Sequence, residues 1–408
     1  MMIYLDNCAS TKVYPEVANT VCHLLTENYA NPSALHLAGQ EAEKVLKLGR
    51  QQVAFAMGAK AENIVFTSGG TEANNLALFS AFYSPSTKKN KTLLVSSVEH
   101  PSVKNVVAKL KEDGVKVLEI PVLKIDSGSP GAIDTKAFME LLDDSTGLVS
   151  IMHVNNEIGT IQPVLEVSEA VRALGGKSAS VQIHTDAVQS FGKLPINVNS
   201  DDFRNIDFIS LSAHKLHGPK GIGALYSSNP KKLHPIMYGG GQEGGIRSGT
   251  ENVPGVAGFG LAAEMTMAKL ESNAKHASVC RSRLLEGIVS EIPDISVNSP
   301  VEASITGEPY YCSPYLLNVS FLGTIGEVIL HELEKSEIFV STGSACSSLS
   351  KGGKGGRSVH AQIGLGGKAT AGAIRFSFSH YNTIEEMDIT IEALKKAVSR
   401  FRKIGTMR

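Results

Sequence analysis

FISLSAHKLHGPKG, residues 208–221, is the stretch that decides the fold of this chain. It opens with an apolar, β-branched run and changes at once to polar residues, with Lys215 just beyond the predicted strand. Similar runs, separated by helical patterns, lie at residues 64–67, 93–96, 115–118, 148–152 and 181–184. Strands that alternate with helices predict an α/β fold, a mostly parallel sheet flanked by helices.

Polar or glycine-rich residues follow most of these predicted strands, at positions 68–71, 99–100, 155–156, 186 and 214–215. Ligands of such sheets bind beyond the carboxyl ends of the strands. A lysine amine and an aspartate at neighbouring strand ends are what pyridoxal phosphate requires, because one forms a Schiff base and the other keeps the pyridine nitrogen protonated. Lys215 and Asp186 therefore predict a pyridoxal-phosphate site.

The turn SGGTEANN, residues 68–75, joins a predicted strand to a predicted helix. Its glycines expose backbone N–H groups that can hold a phosphate at the helix N-terminus. Taken alone, the segment equally fits a tight turn with Thr71 as an N-cap, Asp186 fits a helix cap, and Lys215 fits a solvated surface residue. The conjunction of these features at strand ends favours the cofactor site.

Composition excludes several classes of protein. The 408 residues carry 39 Lys and Arg against 40 Asp and Glu, a formal net charge of -1, so no membrane surface or nucleic acid is expected as a direct partner. There is no signal-peptide pattern and no apolar stretch of membrane-spanning length, which predicts a soluble, cytoplasmic protein. The five cysteines are widely spaced without a CxxC pair, so neither a disulfide framework nor a metal site is expected.

A second, smaller domain is predicted from the C-terminal part of the chain. The glycine-rich segment 239–250 precedes a helical stretch from about Pro254 to Leu285, and we place a domain boundary near residue 262. The large α/β domain then spans residues 16–262, and a small α+β domain comprises residues 1–15 and 263–408. Thr383 and Glu386 form a capping box for a last helix. Residues 347–372, rich in Gly, Ser and Lys, predict a mobile loop.

In their order along the chain, the motifs resemble those of cysteine desulfurases, pyridoxal-phosphate enzymes of fold type I in the class V aminotransferase family. The resemblance covers the chain almost end to end. Its motifs are YLDN at 4–7, NPS at 31–33, TE at 71–72, EH at 99–100, NNE at 155–157, HTD at 184–186, HK at 214–215, RSGT at 247–250, SAC at 344–346 and IRFS at 374–377.

The resemblance implies a role for each cofactor-site residue. Lys215 carries the cofactor and shuttles the α-proton, and Asp186 pairs with the pyridine nitrogen. Gln189 bonds the phenolic oxygen, and His100 stacks on the ring and assists proton transfer. The phosphate is held by Gly70, Thr71, Ser212 and His214, with Thr250 supplied by the partner subunit of a homodimer.

The same resemblance implies the substrate contacts and the reaction. Arg375 clamps the carboxylate of L-cysteine, with Asn156, which also belongs to the cofactor site, beside it. Cys346, set among small residues, attacks the substrate sulfur and becomes a persulfide while L-alanine is released. The sulfur then passes to an iron–sulfur scaffold or a sulfur carrier, for cluster assembly or for thiolation of tRNA or cofactors. For Cys22, Cys280 and Cys312 we expect apolar packing, and for Cys8 an incidental place near the site.

One position departs from the family pattern, because Gly244 stands where relatives often have arginine. Competing functions also remain at this stage: a selenocysteine lyase or another pyridoxal-phosphate aminotransferase, and a nucleotide-binding module without a covalent cofactor. Cys346 favours sulfur transfer over the first two. The absence of GxGxxG after the first strand and of GxxxxGK[ST] disfavours the third.

Overall fold

The computed structural model describes residues 2–83, 91–174, 181–301, 312–342 and 358–405. Its strands are β1 (Ile3–Tyr4), β2 (Ile64–Thr67), β3 (Thr92–Ser96), β4 (Lys116–Ile120), β5 (Thr146–Ser150), β6 (Gln182–Asp186), β7 (Phe208–Ser212), β8 (Gly223–Ser227), β9 (Ile295–Val297), β10 (Leu316–Phe321), β11 (Ile338–Phe339) and β12 (Ala373–Ser377). Its helices are α1 (Pro15–Thr26), α2 (Leu37–Phe55), α3 (Gly70–Tyr83), α4 (Pro101–Glu112), α5 (Thr135–Leu141), α6 (Val164–Ala173), α7 (Val253–Met267), α8 (Leu270–Glu291), α9 (Gly326–Glu334), α10 (Val359–Gln362), α11 (Gly367–Ala371) and α12 (Ile384–Gly405).

A seven-stranded sheet in the order β2-β8-β7-β6-β5-β3-β4 forms the centre of the larger part. Only β8 runs antiparallel to its neighbours β2 and β7 in this sheet; the other pairings are parallel. The predicted fold class, a mostly parallel sheet flanked by helices, is therefore confirmed. The carboxyl ends of β3, β6 and β7 lie at one edge of the sheet, so the residues that follow them share a cleft.

Both faces of this sheet are buried. Alternate residues of β3 point to opposite sides, with Leu94 in one hydrophobic cluster and Leu93 and Val95 in another. The first cluster also contains α7 residues such as Phe259, and the second contains the apolar face of α3. Strands buried on both faces read as continuous apolar runs, which explains why they were recognisable in the sequence.

The smaller part packs around its own core. Strands β9, β10 and β12 form an antiparallel sheet, β1 pairs with β11, and helices α8, α9 and α12 cover them. The predicted capping box opens α12: Thr383 N–H donates to Glu386 Oε2 (3.2 Å), and Glu386 N–H donates to Thr383 Oγ1 (3.3 Å). The division of the chain at residues 15 and 262 stays a prediction.

The stretch from Pro254 to Leu285 is helical as predicted, divided at residues 268–269 into two helices, α7 and α8, which belong to different cores. Two sequence expectations were wrong. Within the segment predicted as a mobile loop, the described residues 358–372 contain α10 and α11, and Val359 and Ile363 are buried in the main core. Cys22 is exposed rather than packed, whereas Cys280 and Cys312 are buried as expected.

No helix in the described part of the chain is both long and apolar enough to cross a membrane.

Candidate active site

A cavity of about 410 Å³ lies at the carboxyl ends of the central strands. The predicted site residues that line it are Gly70, Thr71, His100, Asn156, Asp186, Gln189, Ser212, His214, Lys215 and Arg375. Thr250 is exposed and does not line this cavity. Cys346 lies outside the described residues, and Ser341 of the preceding segment lines the cavity. Residues from distant parts of the chain thus converge on one chamber.

Asp186 ends β6 and is buried, with 5% of its surface exposed. Its Oδ2 accepts a hydrogen bond from Asn74 Nδ2 (2.7 Å), and its Oδ1 accepts one from the Val188 backbone N–H (2.9 Å). Both donors are neutral groups. A buried carboxylate held by neutral donors retains a strong preference for a cationic ligand, which is the chemistry of a protonated pyridine.

Lys215 closes the short helical turn Ala213–Lys215 that follows β7. Its ammonium donates to the backbone oxygens of Cys8 and Ala9, the latter at 2.9 Å. Burial is the main reason that the pKa of Lys215 falls from 10.5 to about 8. Its amine is therefore far more often neutral, and hence nucleophilic, near neutral pH than an ordinary lysine.

His100 caps α4 and is tied to Asp186 through two neutral side chains. Its Nδ1 accepts from the Ser102 N–H (3.1 Å), so the ring proton of the neutral imidazole resides on Nε2. Asn74 Nδ2 also donates to Ser102 Oγ (2.8 Å), which lies 2.7 Å from His100 Nδ1. Burial lowers the pKa of His100, so the imidazole is neutral at physiological pH.

The first turn of α3 provides a cradle for an anion opposite Ser212 and His214. A Cβ added at Gly70 would lie 2.5 Å from Val188 Cγ2, so only glycine fits this close approach. Thr71 follows with its hydroxyl in the first helical turn. Backbone N–H groups at a helix N-terminus favour phosphate. Together with Asp186 and Lys215, this cradle fits the group that the sequence predicted.

Arg375 lies in β12 with 7% of its surface exposed. Its Nη1 donates to the Asn156 backbone oxygen (2.9 Å), and its Nη2 donates to Asp6 Oδ1 (2.8 Å). The buried Nε has no partner within the described residues. An unsatisfied buried N–H on a guanidinium beside a cavity suits a carboxylate ligand.

Gly244, where the family pattern has arginine, adopts a left-handed conformation with φ 66°. Nothing lies within 4 Å of a Cβ built there. Space therefore does not exclude a side chain, but the backbone conformation favours glycine. The neighbouring Glu243 forms an ion pair with Arg50, which ties this turn to α2.

Sequence reasoning missed polar residues that line the cavity, among them Asp6, Asn74 and Ser102. Asn74 and Ser102 are polar residues on buried helical faces, a signal that could have been noticed for Asn74 because its neighbours Ala73 and Leu76 are apolar. The Asp6–Arg375 pair joins residues at opposite ends of the chain, and no local pattern announces it.

Comparison with known proteins identifies the family of this chain. The chain matches the model of the aminotransferase class-V family over residues 3–389. A protein named cysteine desulfurase IscS from Clostridium botulinum is 36% identical over 99% of this chain and 96% of its own length. A cysteine desulfurase from Nostoc sp. is 38% identical over 99% of this chain and 94% of its own length. A solved structure described as a NifS-like protein superposes with a TM-score of 0.87 at 34% identity, covering 98% of this chain and all of that one.

Proposed function

This chain belongs to the class V aminotransferase family, within which it is a cysteine desulfurase, and from this premise we propose that its cavity binds pyridoxal 5'-phosphate and L-cysteine. The enzyme converts L-cysteine to L-alanine and passes the sulfur to Cys346. The observation that carries the proposal is the convergence of Lys215, Asp186 and the unsatisfied Arg375 Nε on one chamber.

The cofactor would be held at both ends by residues already in place. Gly70 and Thr71 at the start of α3, with Ser212 and His214, would bind its phosphate. Asp186 would pair with its ring nitrogen. When bound, the cofactor supplies an electron sink for the negative charge that develops at the substrate α-carbon. Asn74 supports this by fixing the Asp186 carboxylate from the opposite side.

Lys215 and His100 are the residues placed to move protons. With a pKa of about 8, the Lys215 amine can accept a proton from the substrate and return it within the physiological range. The Nε2–H of neutral His100 can donate a hydrogen bond to the group that gains or loses the proton, while Ser102 fixes the ring through Nδ1. Arg375 holds the substrate carboxylate and so orients the α-hydrogen.

Cys346 supplies the nucleophile for the substrate sulfur. Its thiolate attacks the substrate sulfur; a sulfur–sulfur bond forms as the carbon–sulfur bond breaks, and the three-carbon product takes up a proton and leaves as alanine. Ser341, on the segment leading to Cys346, lines the cavity, which supports this assignment.

The biological partners follow from the same proposal. The persulfide sulfur goes to an acceptor protein, an iron–sulfur scaffold or a sulfur carrier, in the cytoplasm. A homodimer would place Thr250 of one subunit at the cavity of the other; its exposure at the end of segment 239–250 supports this. Gel filtration with light scattering distinguishes a dimer from a monomer.

Borohydride treatment of the purified yellow protein is expected to attach the cofactor permanently to Lys215, because this amine is the one that lines the cavity. Peptide mapping by mass spectrometry identifies the modified lysine. Lys220 is the internal control, because it is an exposed lysine only five positions after Lys215. A label on Lys220, or no label at all, contradicts the proposed function.

Arg375→Ala is expected to weaken L-cysteine binding by about 1.5–3 kcal/mol, the typical contribution of a hydrogen bond to a charged group. Cofactor affinity should change little, because Arg375 contacts Asn156 and Asp6 but no residue assigned to the phosphate. Spectral titration with cysteine measures the first and equilibrium dialysis the second. Arg375→Lys, which keeps the charge without the planar fork, should fall between. Unchanged cysteine affinity in Arg375→Ala would rule out the carboxylate clamp.

A further inference from the structure

Lys193 is a buried lysine that the reaction described above does not use. It follows β6 in the turn below the cavity, and 5% of its surface is exposed. Its ammonium lies 3.4 Å from Gln189 Oε1 and 5.8 Å from the centre of the Tyr315 ring. Within the described part of the chain, it forms no ion pair with an Asp or Glu. Burying an ammonium without a counter-ion is costly, so its position calls for an explanation.

The contacts of Gln189 define which way its amide faces. The backbone oxygen of Cys8 can only accept hydrogen bonds, so the group 3.0 Å from it is the Gln189 Nε2 donor. The opposite oxygen, Oε1, must then face Lys193, which donates to it. The second hydrogen on Nε2 finds no acceptor among the described residues, and Gln189 lines the cavity. The amide therefore presents a donor to a ligand.

We propose that Lys193 is a positioning residue that holds the Gln189 amide with its N–H toward the cofactor and places a second buried positive charge beside Lys215. This inference rests on the proposed function, in which Gln189 bonds the phenolic oxygen of the cofactor. If the Gln189 amide were reversed, its Oε1 would face the phenolic oxygen of the cofactor, and the hydrogen bond would be lost. Lys193 prevents the reversal because it cannot accept a hydrogen bond while it is protonated.

The charge of Lys193 acts on a group that must lose its proton. Burial is the largest cause of the lowered pKa of Lys215, and Cys8 acts in the opposite direction. The positive charges of Lys193 and Arg375 lower the pKa of Lys215 further. The ionisable groups around Lys193 are Cys8, Lys215, Arg375, His214, His217 and Tyr315. Several of them are cationic or neutral bases, so removing the Lys193 charge makes protonation of its neighbours easier.

The test compares substitutions of Lys193 in the cofactor-loaded enzyme by two measurements other than activity: the pH midpoint of its visible absorbance and the dissociation constant of the cofactor. Lys193→Met removes donor and charge, and we expect the midpoint to rise by about one pH unit and cofactor affinity to fall about fivefold. Lys193→Gln removes the charge but keeps an N–H donor beside an acceptor oxygen; its midpoint should rise equally, and its cofactor affinity should fall between those of Lys193→Met and wild type. Lys193→Arg should resemble wild type in both.

Lys220→Met is the matched control, because Lys220 lies five positions after Lys215 and its charge also reaches His214, but its side chain is exposed. Solvent screening should hold its midpoint within about 0.2 pH units of wild type. If Lys193→Met does not fold, the pH midpoints of Lys193→Gln and Lys193→Arg are compared instead. Equal midpoints in these two variants overturn the inference, and a higher midpoint in Lys193→Gln supports it. Unchanged titration and affinity in a folded Lys193→Met enzyme overturn the inference alone. A wild-type protein that shows no titrating visible band overturns the proposed function together with it.

Discussion

Cys346→Ser is expected to lower alanine formation from L-cysteine by at least about 1,000-fold, the scale of losing a nucleophile. The serine hydroxyl stays protonated at neutral pH and is a poor acceptor for sulfur. Binding of the cofactor and of cysteine should persist, because Lys215, Asp186 and Arg375 are unchanged. Stopped-flow spectra on mixing with cysteine should therefore still change, while alanine quantitation shows almost no product.

The other cysteines provide the controls for this experiment. Cys22→Ser changes an exposed thiol, and Cys8→Ser changes one within the cavity. Both variants should retain activity within about threefold of wild type, since surface and incidental substitutions usually have small effects. Cys280 and Cys312 are buried, so their replacement should affect stability more than chemistry. Wild-type alanine production by Cys346→Ser would exclude the persulfide mechanism.

Lys215→Ala is expected to reduce turnover by roughly 10⁴-fold or more, because it removes both the covalent attachment of the cofactor and the proton-transferring amine. The variant should still fold, since the hydrogen bonds that the Lys215 ammonium makes within the described residues go to backbone oxygens, those of Cys8 and Ala9. Alanine formation and the visible spectrum of the reconstituted variant measure the effect. Lys220→Ala, which removes an exposed lysine nearby, should behave as wild type.

The pH dependence of the wild-type apoprotein provides an independent check on Lys215. Its pKa is lowered to about 8, chiefly by burial, so the amine is protonated and unreactive below this pH and neutral above it. The rate of covalent cofactor uptake should therefore rise with pH through about 8 and then level off. A lysine with the usual pKa of 10.5 would give a rate that keeps rising through pH 10, and such a profile would contradict the buried site.

Much of the fold was predictable because its strands are short and buried on both faces. Six of the seven strands of the central sheet appear as apolar, β-branched runs, and their predicted limits differ from the observed ones by at most two residues, as expected for element ends. The seventh, β8 (Gly223–Ser227), was not predicted, because its sequence GALYS has no β-branched run. The capping box at Thr383 and Glu386 was also predictable, because it depends on residues close together in the sequence. The break between α7 and α8 at residues 268–269 was not predictable in this way, because it reflects a change from one core to another.

The described site likewise contains residues that the sequence predicted and contacts that it did not. Lys215, Asp186 and Arg375 were identifiable because a charged or polar residue at the end of, or within, an apolar strand needs a partner. The bridge from Asp186 through Asn74 and Ser102 to His100 was not, because it depends on which faces of α3 and α4 meet. The loop prediction for 358–372 failed because Val359 and Ile363 pack into a core that their own sequence neighbours do not reveal.

The sequence by itself determined the α/β class, the order of its elements and the residue types available for chemistry, since these depend on periodicity and composition within a few residues. Only the tertiary structure decided that Asp6 pairs with Arg375, that the Cys8 oxygen meets both Lys215 and Gln189, and that Lys193 is buried with no Asp or Glu partner among the described residues. These contacts join segments far apart in the chain. Their energies depend on distance and burial, which exist only once both cores have formed and brought those segments together.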